Sequence, residues 1–227
     1  MINIEEPAEF FAENDYYLIK GKKYWRVTRV KSVINQPTLN LWRARIGVKE
    51  ATKIMKERQA LGSKMHKLFE LKLLGEDINP DNYKNEEIKI DLGLFDTFLV
   101  DCEIEAESVE QHLWSNEYGI AGTADYLGSY KSNIKYLKRN AEAKFTEKSF
   151  VVGDWKSSSG IYKDYWIQLA AYVKMVEDMT GIKPDGAFIA QFRNGKVKVE
   201  EQTYDELMKY FGVMLHCIEI FKYTKGE

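Results

Sequence analysis

Ser149-Phe150-Val151-Val152-Gly153-Asp154-Trp155-Lys156 is the stretch on which the reading of this chain turns. Its apolar run, bounded by polar residues, fits a short buried strand. The strand stops at a charged pair. Side chains alternate across a strand, so Asp154 and Lys156 share one face at its end. Trp155 points the other way, with its carbonyl still near that face. A carboxylate beside an ammonium at a strand terminus is either a surface ion pair or half of a reaction centre. An Asp-x-Lys tripeptide alone favours the ion pair, so the surrounding sequence has to decide.

A second acid lies upstream: Asp125, in Gly122-Thr123-Ala124-Asp125-Tyr126-Leu127. Thr123–Tyr130 reads as a strand after the turn-forming Gly119 and Gly122. Two carboxylates on neighbouring strands beside an ammonium suit metal-assisted phosphodiester cleavage. A hard cation prefers carboxylate and carbonyl oxygens, acidifies bound water and polarises a phosphoryl oxygen. A lysine beside it can orient or deprotonate that water and offset developing charge. Asp125 and Asp154 stand 29 positions apart, more than a tight hairpin needs. The polar residues 131–148 are therefore expected to form a helical or hairpin insertion, open to substrate or a partner.

Further out, helical spacing predicts helices over 29–34 (capped by Thr28), 39–46, 49–74 and 88–101. Residues 103–114 look extended. A helix over 164–180, strands over 188–192 and 196–200 around Asn194-Gly195, and a helix over 204–223 follow. Residues 1–22 read as irregular. This order predicts one α/β (α+β) domain over 1–227, with a mixed central sheet flanked by helices. Its first 100 residues are expected to be mainly helical and residues 101–227 to carry the sheet core. His66 and Glu70 share a helix face, as do Gln168 and Tyr172. Taken singly, such a histidine is a structural residue, and the Gln168–Tyr172 pair sits at a core edge.

Net charge is −2, yet residues 20–67 hold 14 Lys and Arg against Glu50 and Glu57. Such segregation attracts polyanions. Tyr24, Trp25 and Trp42 interleave with Arg26, Arg29, Arg43 and Arg45, a mixture suited to single-stranded nucleic acid. No apolar run approaches the roughly 20 residues of a membrane helix, and the acidic N-terminus is unlike a signal peptide. A cytoplasmic, intracellular protein is expected. Cys102 and Cys217 are too few for a disulfide framework. The chain lacks Gly-x-x-x-x-Gly-Lys-Ser/Thr, so any ATP-driven unwinding would come from a helicase or recombination partner.

Taken in order, Gly-x-x-x-His-x-x-x-Glu (62–70), Gly-x-x-Asp-Tyr-Leu (122–127), Asp-Trp-Lys-Ser-Ser (154–158) and Gln-x-x-x-Tyr (168–172) resemble the RecB-type branch of the PD-(D/E)xK nucleases. The resemblance runs from about Arg26 to Tyr172. It includes Arg26-Val27-Thr28-Arg29-Val30 and Leu39-Asn40-Leu41-Trp42, as in small phage-type and mitochondrial genome-maintenance exonucleases. It implies a restriction-endonuclease-like core and a Mg²⁺- or Mn²⁺-dependent deoxyribonuclease. Such an enzyme would be an exonuclease on DNA ends or single strands, serving recombination, replication or repair. His66, Asp125, Asp154 and the Trp155 carbonyl would hold metal, and Lys156 would be the catalytic lysine. Gln168 and Tyr172 would position the DNA backbone or support the lysine. Arg26, Arg29 and Arg43 would guide the strand, with Trp25 or Trp42 stacking on bases. Glu70 would stand behind the ligands, and Glu110 near the site but outside direct ligation. A histidine ligand favours tolerance of Mn²⁺. The cysteines that hold an iron–sulfur cluster in some relatives are missing, so no iron–sulfur cluster is expected.

Two alternatives use the same residues: a structure-specific endonuclease, and a non-catalytic DNA-binding module on a nuclease fold. Retention of Asp125, Asp154 and Lys156 argues against the second. A glycosidase-type acid pair would leave Lys156 and the basic segment unexplained.

Overall fold

The computed structural model describes residues 4, 10–13, 15–34 and 36–226. Three strands come first: β1 (Phe10–Ala12), β2 (Tyr16–Ile19) and β3 (Lys22–Arg26). Four helices follow: α1 (Val27–Lys31), α2 (Pro37–Ile46), α3 (Val48–Leu73) and α4 (Glu86–Asp101). Then come β4 (Glu105–Ser115), β5 (Ile120–Tyr130), β6 (Ser149–Lys156), α5 (Lys163–Thr180), β7 (Gly186–Arg193), β8 (Lys196–Thr203) and α6 (Tyr204–Lys225).

The fold is mixed α/β, with all eight strands in one sheet. Its path runs β1-β2-β3-β5-β6-β7-β8, with β4 paired to β5. The β3–β5 and β6–β7 pairs are parallel, the others antiparallel. One edge of β5 belongs to β4. Two strands share the other: β3 pairs at Ile120 and Ala121, and β6 at Tyr126 through Tyr130. Among the described residues, no strand pairs with that edge between Ala121 and Tyr126. The sheet forks there, and Asp125 stands in the fork.

Helices cover both faces. One core joins α1, α5 and α6 to Leu127, Val152 and Ile189. The other joins α3 and α4 to Tyr126, Val151, Trp155 and Phe188. The alternation expected of β6 is therefore present, with Val151 and Trp155 facing one core and Val152 the other. Trp155 is buried in an aromatic cluster, its ring centroid 5.2 Å from that of Phe95 and 5.4 Å from that of Phe188. Edge and tilted ring contacts of this kind each add about 0.5–1.5 kcal/mol beyond burial. They hold the backbone that presents Asp154 and Lys156. At the far end of the chain, Thr203 and Glu206 form a reciprocal capping box that starts α6 beside β8.

Three expectations need correction. Among the described residues of the first 22, strands replace the expected irregular course: β1, β2 and the start of β3 lie there, paired antiparallel, while residues 1–3, 5–9 and 14 lie outside the described residues. Of β2, Tyr17 and Ile19 are buried with Tyr24 and Ala121. Thr28 lies inside α1, whose cap position is Arg26 with no side-chain hydrogen bond. Residues 131–148 form neither a helix nor a hairpin. Instead the segment lies along the outer edge of β8, where Leu137 bridges Val199 and the Val199 N–H donates to the Tyr136 carbonyl (2.9 Å). Covering an edge strand removes its unpaired backbone groups from solvent. Buried Glu201 fastens the segment, accepting from the Tyr130 hydroxyl (2.6 Å) and the Lys144 N–H (2.9 Å). The insertion leaves the sheet beyond Tyr130, about 17 Å along β5 from Asp125. No helix among the described residues is long and apolar enough to cross a membrane.

Candidate active site

The site begins with the fork. In the ladder between β5 and β6, Tyr126 pairs with Gly153; one step further on, the strands part. The Trp155 N–H then donates to a carboxylate oxygen of Asp125 (Oδ2, 3.0 Å). The same oxygen lies 3.2 Å from Nδ1 of His66. His66 arrives from α3. That helix comes close at Gly62, where a Cβ would sit 3.0 Å from the Ser157 hydroxyl. One turn later on the same face is His66. Glu70, a further turn on, is bound by Lys67 (2.6 Å).

Asp154 is buried. Lys156 Nζ donates to its Oδ1 (2.7 Å) and lies 2.5 Å from Oδ2, which keeps no aligned hydrogen bond. The ammonium also stands 5.1 Å from the Tyr165 ring centroid, a favourable cation–π position. Both members of the expected Asp-x-Lys pair thus meet Asp125 and His66 in one pocket.

Glu110 enters from β4. The register places Val109 opposite Tyr126 and Gln111 opposite Ala124, so Glu110 stands across from Asp125. It does so with φ at 51°, in the left-handed region. A non-glycine residue held there costs of order 1–3 kcal/mol. Ligand atoms of His66, Glu110 and Asp125 lie within 4.8 Å of one another. This grouping could hold a metal ion. It brings in Glu110, which the sequence placed outside direct ligation, and does not include Asp154. A count outward from the Asn116–Gly119 turn would have paired 110 with 125. The residue's ordinary acidic context hid it.

The charges are strongly coupled. Burial pushes Asp154 up, and nearby Asp125 adds to the rise; the Lys156 ammonium opposes both without overcoming them. Burial also acts to raise Asp125, but His66, Lys156 and the Trp155 N–H together hold it below the usual carboxylate range. For His66 burial opposes the charged form, yet Asp125 lifts its pKa above the ordinary imidazole value. Lys156 is likewise raised, because Asp154 and Asp125 outweigh its desolvation. Burial, then the Asp125 charge, push Glu110 up to about 7.

Behind the fork, Gln168 Nε2 donates to the Tyr172 hydroxyl (3.0 Å). A Cβ at Gly122 would fall 2.6 Å from the Tyr172 ring, so glycine is what lets this tyrosine lie across β5. Tyr172 is buried, and burial raises its phenol well above the ordinary value. It buttresses the strand that carries Asp125. Lys31 lies 2.9 Å from Asp164 and 3.5 Å from Gln168, tying α1 to α5.

The expected strand-guiding residues scatter. Arg26 stacks on the Tyr17 ring (4.6 Å), with its Nε buried and without a hydrogen bond among the described residues. Arg29 pairs with Asp15 (3.0 Å). Arg43 lies on α2, its Nη2 3.3 Å from the Met55 sulfur. Trp25 is buried against Phe221 (5.0 Å) and cannot stack on a base. Trp42, on α2, stays half-buried. Cys102 and Cys217 are both buried free thiols.

Fold and pocket together define a mixed α/β sheet domain with a His–carboxylate–lysine cluster at a fork between strands. No family model matches the chain, and no curated protein matches it. Among solved structures, SSO0001 is similar at 12% identity, over 84% of this chain and 74% of that one, with a TM-score of 0.32. A Eubacterium rectale protein called "Putative exonuclease" is similar at 16% identity, over 63% of this chain and 54% of that one, with a TM-score of 0.40. The chain thus spans about half the length of the latter. At these values neither likeness bears on function.

Proposed function

We propose that this protein is a metal-dependent deoxyribonuclease of the PD-(D/E)xK type, acting as an exonuclease on DNA ends or single strands. One observation supports it above the others: Asp125, Asp154, Lys156 and His66 converge where β5 and β6 part. The donor set suits a divalent ion, Mg²⁺ or Mn²⁺. Asp154 Oδ2 is a buried oxygen lacking an aligned hydrogen bond, and Asp125 offers a second carboxylate beside it. His66, Asp125, Asp154 and the Trp155 carbonyl would hold the ion. When bound, it would acidify a water and polarise a phosphoryl oxygen.

The chain's own residues supply the rest. Lys156, with its pKa raised, stays an ammonium at neutral pH. As an ammonium it is a hydrogen-bond donor, and an ion on Asp154 and Asp125 would weaken the two charges that hold its pKa up. Its Nζ can orient the attacking water and offset charge gathering on the phosphate oxygens. Asp154 aims that ammonium. Tyr172 and Gln168 fix the strand behind Asp125. The basic face of α2 and α3, with exposed Arg45, Lys49, Lys53 and Lys56, supplies the non-specific attraction for a phosphate backbone.

Digestion of 5′- and 3′-labelled single- and double-stranded DNA tests the reading. Cleavage should require Mg²⁺ or Mn²⁺, vanish with EDTA, and be lost in Lys156→Ala while binding survives. Unchanged cleavage by Asp154→Ala would overturn it. A circular single strand should stay intact; its cleavage would favour the endonuclease alternative at the same site.

A further inference from the structure

Glu110 is the acid that the reading above does not use. It reaches the fork from the β4 side, opposite the Asp154–Lys156 pair. Its backbone is held in a conformation costly for glutamate, and among the described residues no hydrogen bond or ion pair occupies its carboxylate. Its neighbours are a histidine and a carboxylate, a donor set of mixed type, unlike a simple acidic patch. Three points no more than 4.8 Å apart lie within about 2.8 Å of a common centre, and Mg²⁺–oxygen contacts are about 2.0–2.1 Å. A shift of under an ångström in each side chain would close that gap. Asp154 falls outside the grouping and is already engaged by Lys156.

We propose that Glu110 is a metal ligand, and that His66, Glu110 and Asp125 seat the first divalent ion in the absence of nucleic acid, with Asp154 still held by Lys156. This rests on the reading of the pocket as a metal centre. An imidazole with two carboxylates suits Mn²⁺ and its transition-metal neighbours better than Mg²⁺, which gives up water reluctantly. Asp125 then stands between two poles, a metal-seating pole toward α3 and β4 and a phosphate-facing pole at Asp154 and Lys156.

The test is Mn²⁺ titration of the full chain without nucleic acid, by calorimetry and by the spin-resonance signal of free Mn²⁺. Glu110→Gln should weaken binding roughly tenfold or more, the usual size for loss of a ligand or its support. Asp154→Asn should change it less than about threefold. Glu110→Gly is the folding control: glycine takes φ near +51° without strain, so it should melt no lower than the parent yet bind Mn²⁺ as poorly as Glu110→Gln. Parent-like binding by Glu110→Gln, or loss of binding in Asp154→Asn alone, would overturn the proposal. A parent that binds Mn²⁺ through Glu110 but cuts no DNA would sink the nuclease reading and leave this site standing. Cleavage by a parent whose Mn²⁺ affinity ignores Glu110 would do the reverse.

Discussion

Replacing Lys156 by methionine strands a buried carboxylate, and the structure sets the size of the penalty. The Asp154 side chain keeps 5% of its accessible surface and Lys156 keeps 17%. Removing one partner of a buried pair costs about 3–5 kcal/mol, because the other charge stays desolvated. Lys156 is partly open to water, so the lower end applies, about 3 kcal/mol. In a domain of this size that corresponds to about 6–12 °C in Tm. The loss depends on pH. Asp154 already has a raised pKa, and losing the ammonium raises it further. A carboxylate with a raised folded-state pKa destabilises fully above that pKa, and the penalty fades as pH falls through it. Urea unfolding in EDTA should therefore show a larger deficit at pH 8 than at pH 5. The double variant Asp154→Asn/Lys156→Met removes both charges and should return to within about 1 kcal/mol of the parent, since neutral replacement of a buried pair is nearly free. A single variant within about 0.5 kcal/mol of the parent at pH 8, the behaviour of a surface pair, would refute the reasoning. So would a double variant no better than the single.

Gly122→Ala forces a Cβ to within 2.6 Å of the Tyr172 ring; overpacking should cost about 1–3 kcal/mol, and adding Tyr172→Phe should not relieve it, because the ring carbon is the nearest atom. Unchanged urea stability of the single variant would count against the buttress. The His66–Asp125 pair has a pH window: the raised pKa of His66 gives stability present below its unfolded value and lost as pH rises through the folded one, while the lowered pKa of Asp125 gives stability lost as pH falls through its folded value. Asp125→Asn should thus cost more near pH 6 than near pH 9 in EDTA, and an equal cost at both would contradict the pairing. Changing Arg45, Lys49, Lys53 and Lys56 to alanine should flatten the salt dependence of single-stranded DNA binding by up to about three in log–log slope, measured by anisotropy; an unchanged slope would move the DNA path elsewhere.

Much of this fold was legible because strong local signals agreed with the tertiary outcome. The strand Ser149–Lys156 has the expected bounds, and α5, α6 and the Asn194-Gly195 hairpin follow their periodicity and turn chemistry closely. The parts that escaped depend on contacts far apart in sequence. β1 and β2 are short and form an outer part of the sheet, so their apolar runs, Phe10-Phe11-Ala12 and Tyr16-Tyr17-Leu18-Ile19, are too brief to fix a strand without pairing onto β3. The 131–148 segment takes its course from β8, about 60 residues later in the chain, through groups such as Glu201 that look like surface residues in isolation. Trp25 was misread for a similar reason. Its neighbours are basic, but its ring is claimed by Phe221 from the last helix.

The site itself was half legible, and the boundary has a physical cause. Asp154 and Lys156 are two residues apart on one strand, so alternation alone brings them together. Asp125 follows from strand adjacency. Glu110 requires knowing the register of β4 on β5 and that the ladder is broken at that pair. A regular ladder would have paired 110 with 125 through the backbone and left both carboxylates competing for one space. The left-handed turn at Glu110 and the departure of β6 after Gly153 open both sides of Asp125 at once. The carboxylate is then reached by His66 and Glu110 from one side and lies beside Asp154 and Lys156 on the other. The irregularity of the sheet at this level is thus what brings together residues that a flat, continuous sheet would have kept apart.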